Sequence, residues 1–149
     1  GIALHFANTG IGLWEMEEQP ENVSLAGRRL LLAEDNGLNA EIAMTILQDA
    51  EAEVELAADG KIAVDMLKDA PVGYYDTVLM DIQMPNMNGY QATGVIRKLP
   101  DERAKIPIIA ITANAFEEDR QAALAAGMDD YVAKPVEISE LFRTIMKNL

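Results

Sequence analysis

An open α/β sandwich, with a parallel sheet between two layers of helices, is the fold this sequence predicts. Two observations point to it. Four short apolar runs each end abruptly in a chemically active residue: Leu30-Leu31-Leu32-Ala33 before Glu34-Asp35, Val78-Leu79-Met80 before Asp81, Ile108-Ile109-Ala110-Ile111 before Thr112, and Tyr131-Val132-Ala133 before Lys134-Pro135. Segments of helix length separate these runs, as they separate the buried strands of a parallel sheet. With one further alternating run the chain reads as five β/α units from Arg28 onward. Right-handed crossovers then put helices on both faces of the sheet only if the winding reverses once.

The first strand is expected at about 29–33 and the first helix at about 37–50, with Leu38, Ile42, Ile46 and Leu47 on one face. Strand two, about 53–57, alternates as Glu53-Val54-Glu55-Leu56-Ala57 and so belongs at a sheet edge. Helix two, about 59–69, has Asp59 as its N-cap and turns Ile62, Ala63, Met66 and Leu67 inward. Strand three at about 76–80 leads to helix three at about 88–98. Strand four at about 107–111 leads to helix four at about 117–126, which Gly127 stops as a C′ residue. Strand five, about 131–133, precedes helix five, about 137–148, with Ile138, Leu141, Phe142, Ile145 and Met146 inward.

The 149 residues suit one domain with its own core. The absence of cysteine excludes disulfides and thiol chemistry and fits a cytoplasmic location, and the single histidine, His5, excludes a histidine-rich metal site. No apolar run approaches a membrane span. The N-terminus lacks the basic start and apolar stretch of a secretory signal, so none is expected. A net charge of −13 argues against direct nucleic-acid binding and fits attraction of divalent cations or basic partners. Residues 1–27 hold four acids (Glu15, Glu17, Glu18, Glu21) and no Lys or Arg, with Gln19-Pro20-Glu21-Asn22 as punctuation. They read as a linker or the remnant of an upstream domain, in which Ile11, Leu13 and Trp14 are candidates for docking.

Parallel strands share one direction, so the active residues at their C-terminal ends share one edge, where open α/β sheets bind ligands. Glu34, Asp35, Asp81, Thr112 and Lys134 therefore meet in one crevice. Three crowded carboxylates repel one another, and a hard cation such as Mg²⁺ resolves the conflict. Asp81 ends the most central run and is the best-placed nucleophile, since carboxylates form acyl phosphates. Lys134 supplies a point charge for phosphate oxygens and Thr112 a hydroxyl donor. Lys134 also precedes Pro135, the one kind of peptide bond that reaches cis readily. Met84-Pro85-Asn86-Met87-Asn88-Gly89 reads as a tight ordered loop beside the site.

Four motifs in order carry a resemblance over about residues 28–149: Leu32-Ala33-Glu34-Asp35-Asn36, Leu79-Met80-Asp81-Ile82-Gln83-Met84-Pro85, Ile111-Thr112-Ala113 and Lys134-Pro135. The chain resembles a receiver domain of the two-component response-regulator family. The resemblance implies a flavodoxin-like sheet of order 2-1-3-4-5. It implies Asp81 as phosphoacceptor from a phosphohistidine on a histidine kinase or histidine phosphotransfer protein. Glu34 and Asp35 become the acidic pair for Mg²⁺, with Mn²⁺ as a substitute, and Asp81 and the Gln83 main-chain carbonyl complete the protein ligands. Thr112 becomes the switch hydroxyl, Lys134 the phosphate-binding lysine and Tyr131 the aromatic switch. Gln83 and Asn114 fall where the family tunes access of hydrolytic water. Asn39, Thr112-Ala113-Asn114-Ala115-Phe116 and Ala126-Gly127-Met128-Asp129-Asp130-Tyr131 are similar to receivers fused to hybrid histidine kinases, whose parent proteins are cytoplasmic or membrane-anchored. Gly37 departs from that pattern and loosens the first turn of helix one by roughly 0.5–1 kcal/mol. Asn8-Thr9-Gly10-Ile11-Gly12 shares five positions with the glycine box of histidine-kinase ATP domains, but that box needs Asp where Asn8 stands, so the match reads as coincidence.

Other readings differ in context or in chemistry. A stand-alone single-domain regulator would carry the same site. A haloacid-dehalogenase-type phosphatase also uses a strand-end Asp with Mg²⁺, but needs a second acid where Gln83 stands. A flavodoxin must cradle a phosphate in its first loop, where Glu34-Asp35 would repel it.

Overall fold

The computed structural model describes residues 24–113 and 116–149. The expectations for residues 1–23 and for Asn114 lie outside the described residues. The order of elements is β1 (Arg29–Ala33), α1 (Gly37–Asp49), β2 (Glu53–Ala57), α2 (Gly60–Asp69), β3 (Thr77–Asp81), α3 (Gly89–Arg97), a 3-10 turn (Glu102–Lys105), β4 (Ile108–Thr112), α4 (Glu117–Ala125), β5 (Asp130–Ala133) and α5 (Ile138–Lys147). All strands pair in parallel, in the order β2-β1-β3-β4-β5. The alternating strand β2 lies at an edge as expected, while β3 and β4 are buried at every residue.

Alternation along the strands divides the core in two. Leu30, Leu32, Leu79, Ile109, Ile111 and Val132 face α1 and α5. Leu31, Ala33, Val78, Met80, Ile108 and Ala110 face α2, α3 and α4. The single reversal of winding, between β2 and β3, is what puts helices on both faces.

Local chemistry sets the helix ends. Asn36, Asp59 and Asn88 cap α1, α2 and α3 by accepting N–H groups from Asn39, Ile62 and Gln91, and Asn88 with Gln91 forms a full capping box. Phe116 and Glu137 precede α4 and α5 without a side-chain cap. Helix α4 instead carries Glu117, Glu118 and Asp119 in its first turn, where the helix dipole favours acids. It buries only Ala123, whereas α5 buries Ile138, Leu141, Phe142, Thr144 and Ile145. Gly127 follows α4 at φ +103°, as the C′ reading requires.

Three inward assignments fail. Leu38 is 59% exposed, Ile62 40% and Met146 50%. On α1 the core face runs through Asn39, Ala40 and Ala43 to Ile46 and Leu47, so its first turns pack through small residues and Leu38 falls outside it. On α2 Val64 takes an inward place that Ile62 does not. Helix α5 ends its buried stripe at Ile145.

The end of the sheet away from the strand C-termini is laced by long side chains. Arg97 donates to the carbonyls of Gly127 (2.8 Å), Ala104 (2.8 Å) and Ile106 (2.7 Å) and to Asp129 Oδ2 (2.8 Å). Asp129 Oδ2 also accepts the Ile108 N–H at the start of β4. Tyr74 and Tyr75 donate to the two oxygens of Glu55 on β2, and the Arg29 guanidinium stacks 3.9 Å from the Tyr74 ring centre.

Candidate phosphoacceptor site

The strand C-termini bring the expected residues to one edge. Asp81 is the last residue of β3 and Thr112 the last of β4, while Glu34 and Asp35 follow β1 and Lys134 follows β5. The registers hold these ends level: Ala33 pairs with Met80, Asp81 with Ile111 and Thr112 with Ala133. A cavity of about 360 Å³ opens here, lined by Glu34, Asp35, Asp81, Gln83, Thr112 and Lys134 among others.

Glu34, Asp35 and Asp81 each present a carboxylate oxygen within 4.8 Å of the others. Glu34 is 2% exposed and Asp81 4% exposed, whereas Asp35 lies open at the rim. Lys134 Nζ, itself nearly buried, sits 3.0 Å from Asp81 Oδ2 and 3.7 Å from Glu34 Oε2. Asp81 Oδ1 accepts the Gln83 N–H at 3.2 Å, and Glu34 Oε1 accepts that of Asn36 at 3.1 Å. Glu34 Oε2 is buried without a hydrogen-bond partner among the described residues. Burial, and then the charge of Asp81, push the Glu34 carboxyl up to about 7.

One ammonium thus stands against three clustered carboxylates, with one buried oxygen left over. That donor set fits a hard divalent cation, which takes carboxylate and carbonyl oxygens. Thr112 is buried and lines the same cavity. The Lys134–Pro135 peptide is cis. Tyr131 stands half-buried on β5 opposite Ala110, two residues before Thr112 on the neighbouring strand.

Three residues of the cavity wall were not expected there: Asn39, Tyr90 and Asp119. They belong to the first turns of α1, α3 and α4. In a doubly wound fold the helix following each strand starts at the crevice, so the second or third residue of each helix is the position to inspect.

The chain matches the family described as response regulator receiver domain over residues 30–146. It is 36% identical over 132 residues to the sensor histidine kinase GacS of Pseudomonas protegens, covering 87% of this chain and 14% of that kinase. Among solved structures it is similar to the receiver domain of the sensor histidine kinase PA1611 from Pseudomonas aeruginosa, with magnesium coordinated in the active-site cleft. That likeness has 41% identity and a TM-score of 0.74, over 83% of this chain and 98% of that one. The receiver domain of the Saccharomyces cerevisiae response regulator Ssk1, crystallised with the histidine phosphotransfer protein Ypd1, gives 29% identity and a TM-score of 0.71, over 82% and 92%. The chain therefore spans a small part of the kinase and nearly all of each receiver. With a parallel 2-1-3-4-5 sheet and acids, hydroxyl and lysine gathered at its strand ends, it belongs to the response regulator receiver domain family.

Proposed function

We propose that Asp81 accepts a phosphoryl group from a phosphohistidine and that this drives the output of the domain. The observation that carries the reading is the contact of Asp81 with Lys134 at 3.0 Å inside a cluster of three carboxylates. A carboxylate oxygen of Asp81 attacks phosphorus as the P–N bond breaks. An imidazole protonated on its second nitrogen takes the bonding pair and leaves neutral. Lys134 balances the charge of the transferred oxygens, and the Thr112 hydroxyl donates to one of them. Glu34, Asp35, Asp81 and the Gln83 carbonyl would hold Mg²⁺, or Mn²⁺ in its place. Bound there, the cation neutralises charge that builds on the phosphoryl group. Gln83 and Asn114 govern approach of hydrolytic water.

The donor is a histidine kinase or a histidine phosphotransfer protein. Leu38, exposed in the first turn of α1 beside the acidic rim, offers such a donor an apolar contact. The parent protein is a hybrid histidine kinase, in which residues 28–149 form the receiver and residues 1–27 a linker or the end of an upstream domain. Its receiver faces the cytoplasm and binds no nucleic acid directly, in keeping with the net charge of −13. No helix among the described residues is long and apolar enough to cross a membrane.

Incubation with a small phosphodonor and Mg²⁺ should add one phosphoryl group, read by intact-mass spectrometry. Asp81→Asn should abolish the addition. Unchanged labelling of that variant would sink the assignment.

A further inference from the structure

We infer that Asp59 and Asn86 form a clamp that positions the Mg²⁺ ligand of the β3–α3 loop, so that the start of α2 tunes cation affinity. The inference rests on the proposed metal site and adds positioning residues outside it. Asp59 does not line the site cavity, although it lies at the same edge of the sheet after β2.

The loop over residues 82–88 carries Gln83. Its base is fixed by the Ile82 N–H on Ile111 O (3.1 Å) and by the Gly89 N–H on Ile82 O (2.9 Å). Its tip is fixed from a separate element. Asp59 is 7% exposed and uses both carboxylate oxygens. Oδ1 accepts the Ile62 N–H at 2.8 Å and so caps α2, while Oδ2 accepts the Asn86 side-chain amide at 2.9 Å. The Asn86 amide, and then the Ile62 N–H, hold the Asp59 carboxyl below its ordinary value. Asn86 takes φ +65°, a conformation uncommon outside glycine, and that places its amide where Asp59 receives it.

Beside this bond the Gly60 N–H donates to Met87 O at 3.1 Å. A Cβ on Gly60 would stand 2.3 Å from that oxygen, so only glycine lets the loop tip lie this close to α2. Between the fixed base and the fixed tip, the Gln83 main chain has little freedom. A cation ligand held by a rigid frame binds more tightly than one that must be ordered on binding.

The test separates capping from clamping. Asp59→Ser still caps α2 but has no second oxygen for Asn86. Asn86→Gly keeps the left-handed backbone and removes only the amide. Mg²⁺ affinity is measured by isothermal titration calorimetry, at a temperature where circular dichroism shows each protein folded. Asp81→Asn is the control for the metal site itself. Each single variant should weaken Mg²⁺ binding by roughly threefold to tenfold, near the lower edge of what losing an outer-shell partner costs a metal site. The double variant should be no weaker than the worse single one. The swapped pair, Asp59→Asn with Asn86→Asp, again sets one donor against one acceptor and should restore affinity.

Wild-type affinity in both single variants, with binding lost in Asp81→Asn, would overturn the clamp and leave the metal site standing. Weakening that the swapped pair does not restore would also overturn it. No Mg²⁺ binding by the wild type, or equal binding by Asp81→Asn, would remove the metal site and the clamp's role together.

Discussion

Replacing Arg97 by methionine should cost about 3 kcal/mol of stability without touching phosphoryl transfer. The guanidinium makes four hydrogen bonds, to the carbonyls of Gly127, Ala104 and Ile106 and to Asp129. The Asp129 pair is the weakest of them, because that carboxylate is 44% exposed and solvent screens it. The three carbonyl bonds are worth about 1 kcal/mol each once water takes back part of the loss. Methionine keeps the apolar stem, so packing changes little. In urea, with a slope of about 2 kcal/mol/M, the midpoint should fall by about 1.5 M at an unchanged slope. Arg97→Lys should recover no more than about 1 kcal/mol, because one ammonium cannot serve carbonyls on both sides at once. Asp81 stands at the opposite end of the strands, so labelling of the folded variant should match wild type. A loss below about 1 kcal/mol, or full rescue by lysine, would refute the reasoning.

Other outcomes follow from the site. Mg²⁺ should raise the melting temperature of the wild type by mass action, and Asp35→Ala should lose most of that gain; equal shifts in both would contradict the cation site. In metal-free protein the raised Glu34 carboxyl binds its proton more tightly folded than unfolded. Its contribution is therefore lost as pH rises from about 4.5 to about 7, and the stability of wild type relative to Glu34→Gln should fall by up to about 3 kcal/mol across that window in EDTA. A difference that is flat or opposite in sign would mean that burial does not govern this carboxyl. A phosphoryl mimic on Asp81 should draw the Thr112 hydroxyl and let Tyr131 turn inward, so NMR shifts outside the pocket should concentrate in residues 112–142. Shifts centred on α2 would point to a different route.

The strands and their chemistry were readable because each depends on a local contrast. An apolar run that stops at Asp81 or before Lys134 marks both a strand end and the edge where the carboxylates and the lysine gather, and the observed strand limits lie within a residue of the expected ones. Helix faces were harder to read. Leu38, Ile62 and Met146 are apolar and read as inward, yet the first turns of α1 pack through Ala40 and Ala43, whose small size hides them from a hydrophobic pattern. The Arg97 hub and the pairing of Tyr74 and Tyr75 with Glu55 left no trace in the sequence. They join residues from about 7 to 32 positions apart through side-chain reach alone.

The uneven grip of the sheet on its helices has a thermodynamic consequence. Neither α4 nor α5 has a side-chain cap, but α4 buries a single alanine while α5 buries five side chains. Tilting α4 therefore forfeits only a small fraction of the free energy that global unfolding must overcome. The domain is two materials in one chain: a stiff plate that keeps the carboxylates in register, and a compliant flap beside them. Such a flap can shift while the plate that carries the carboxylates stays folded.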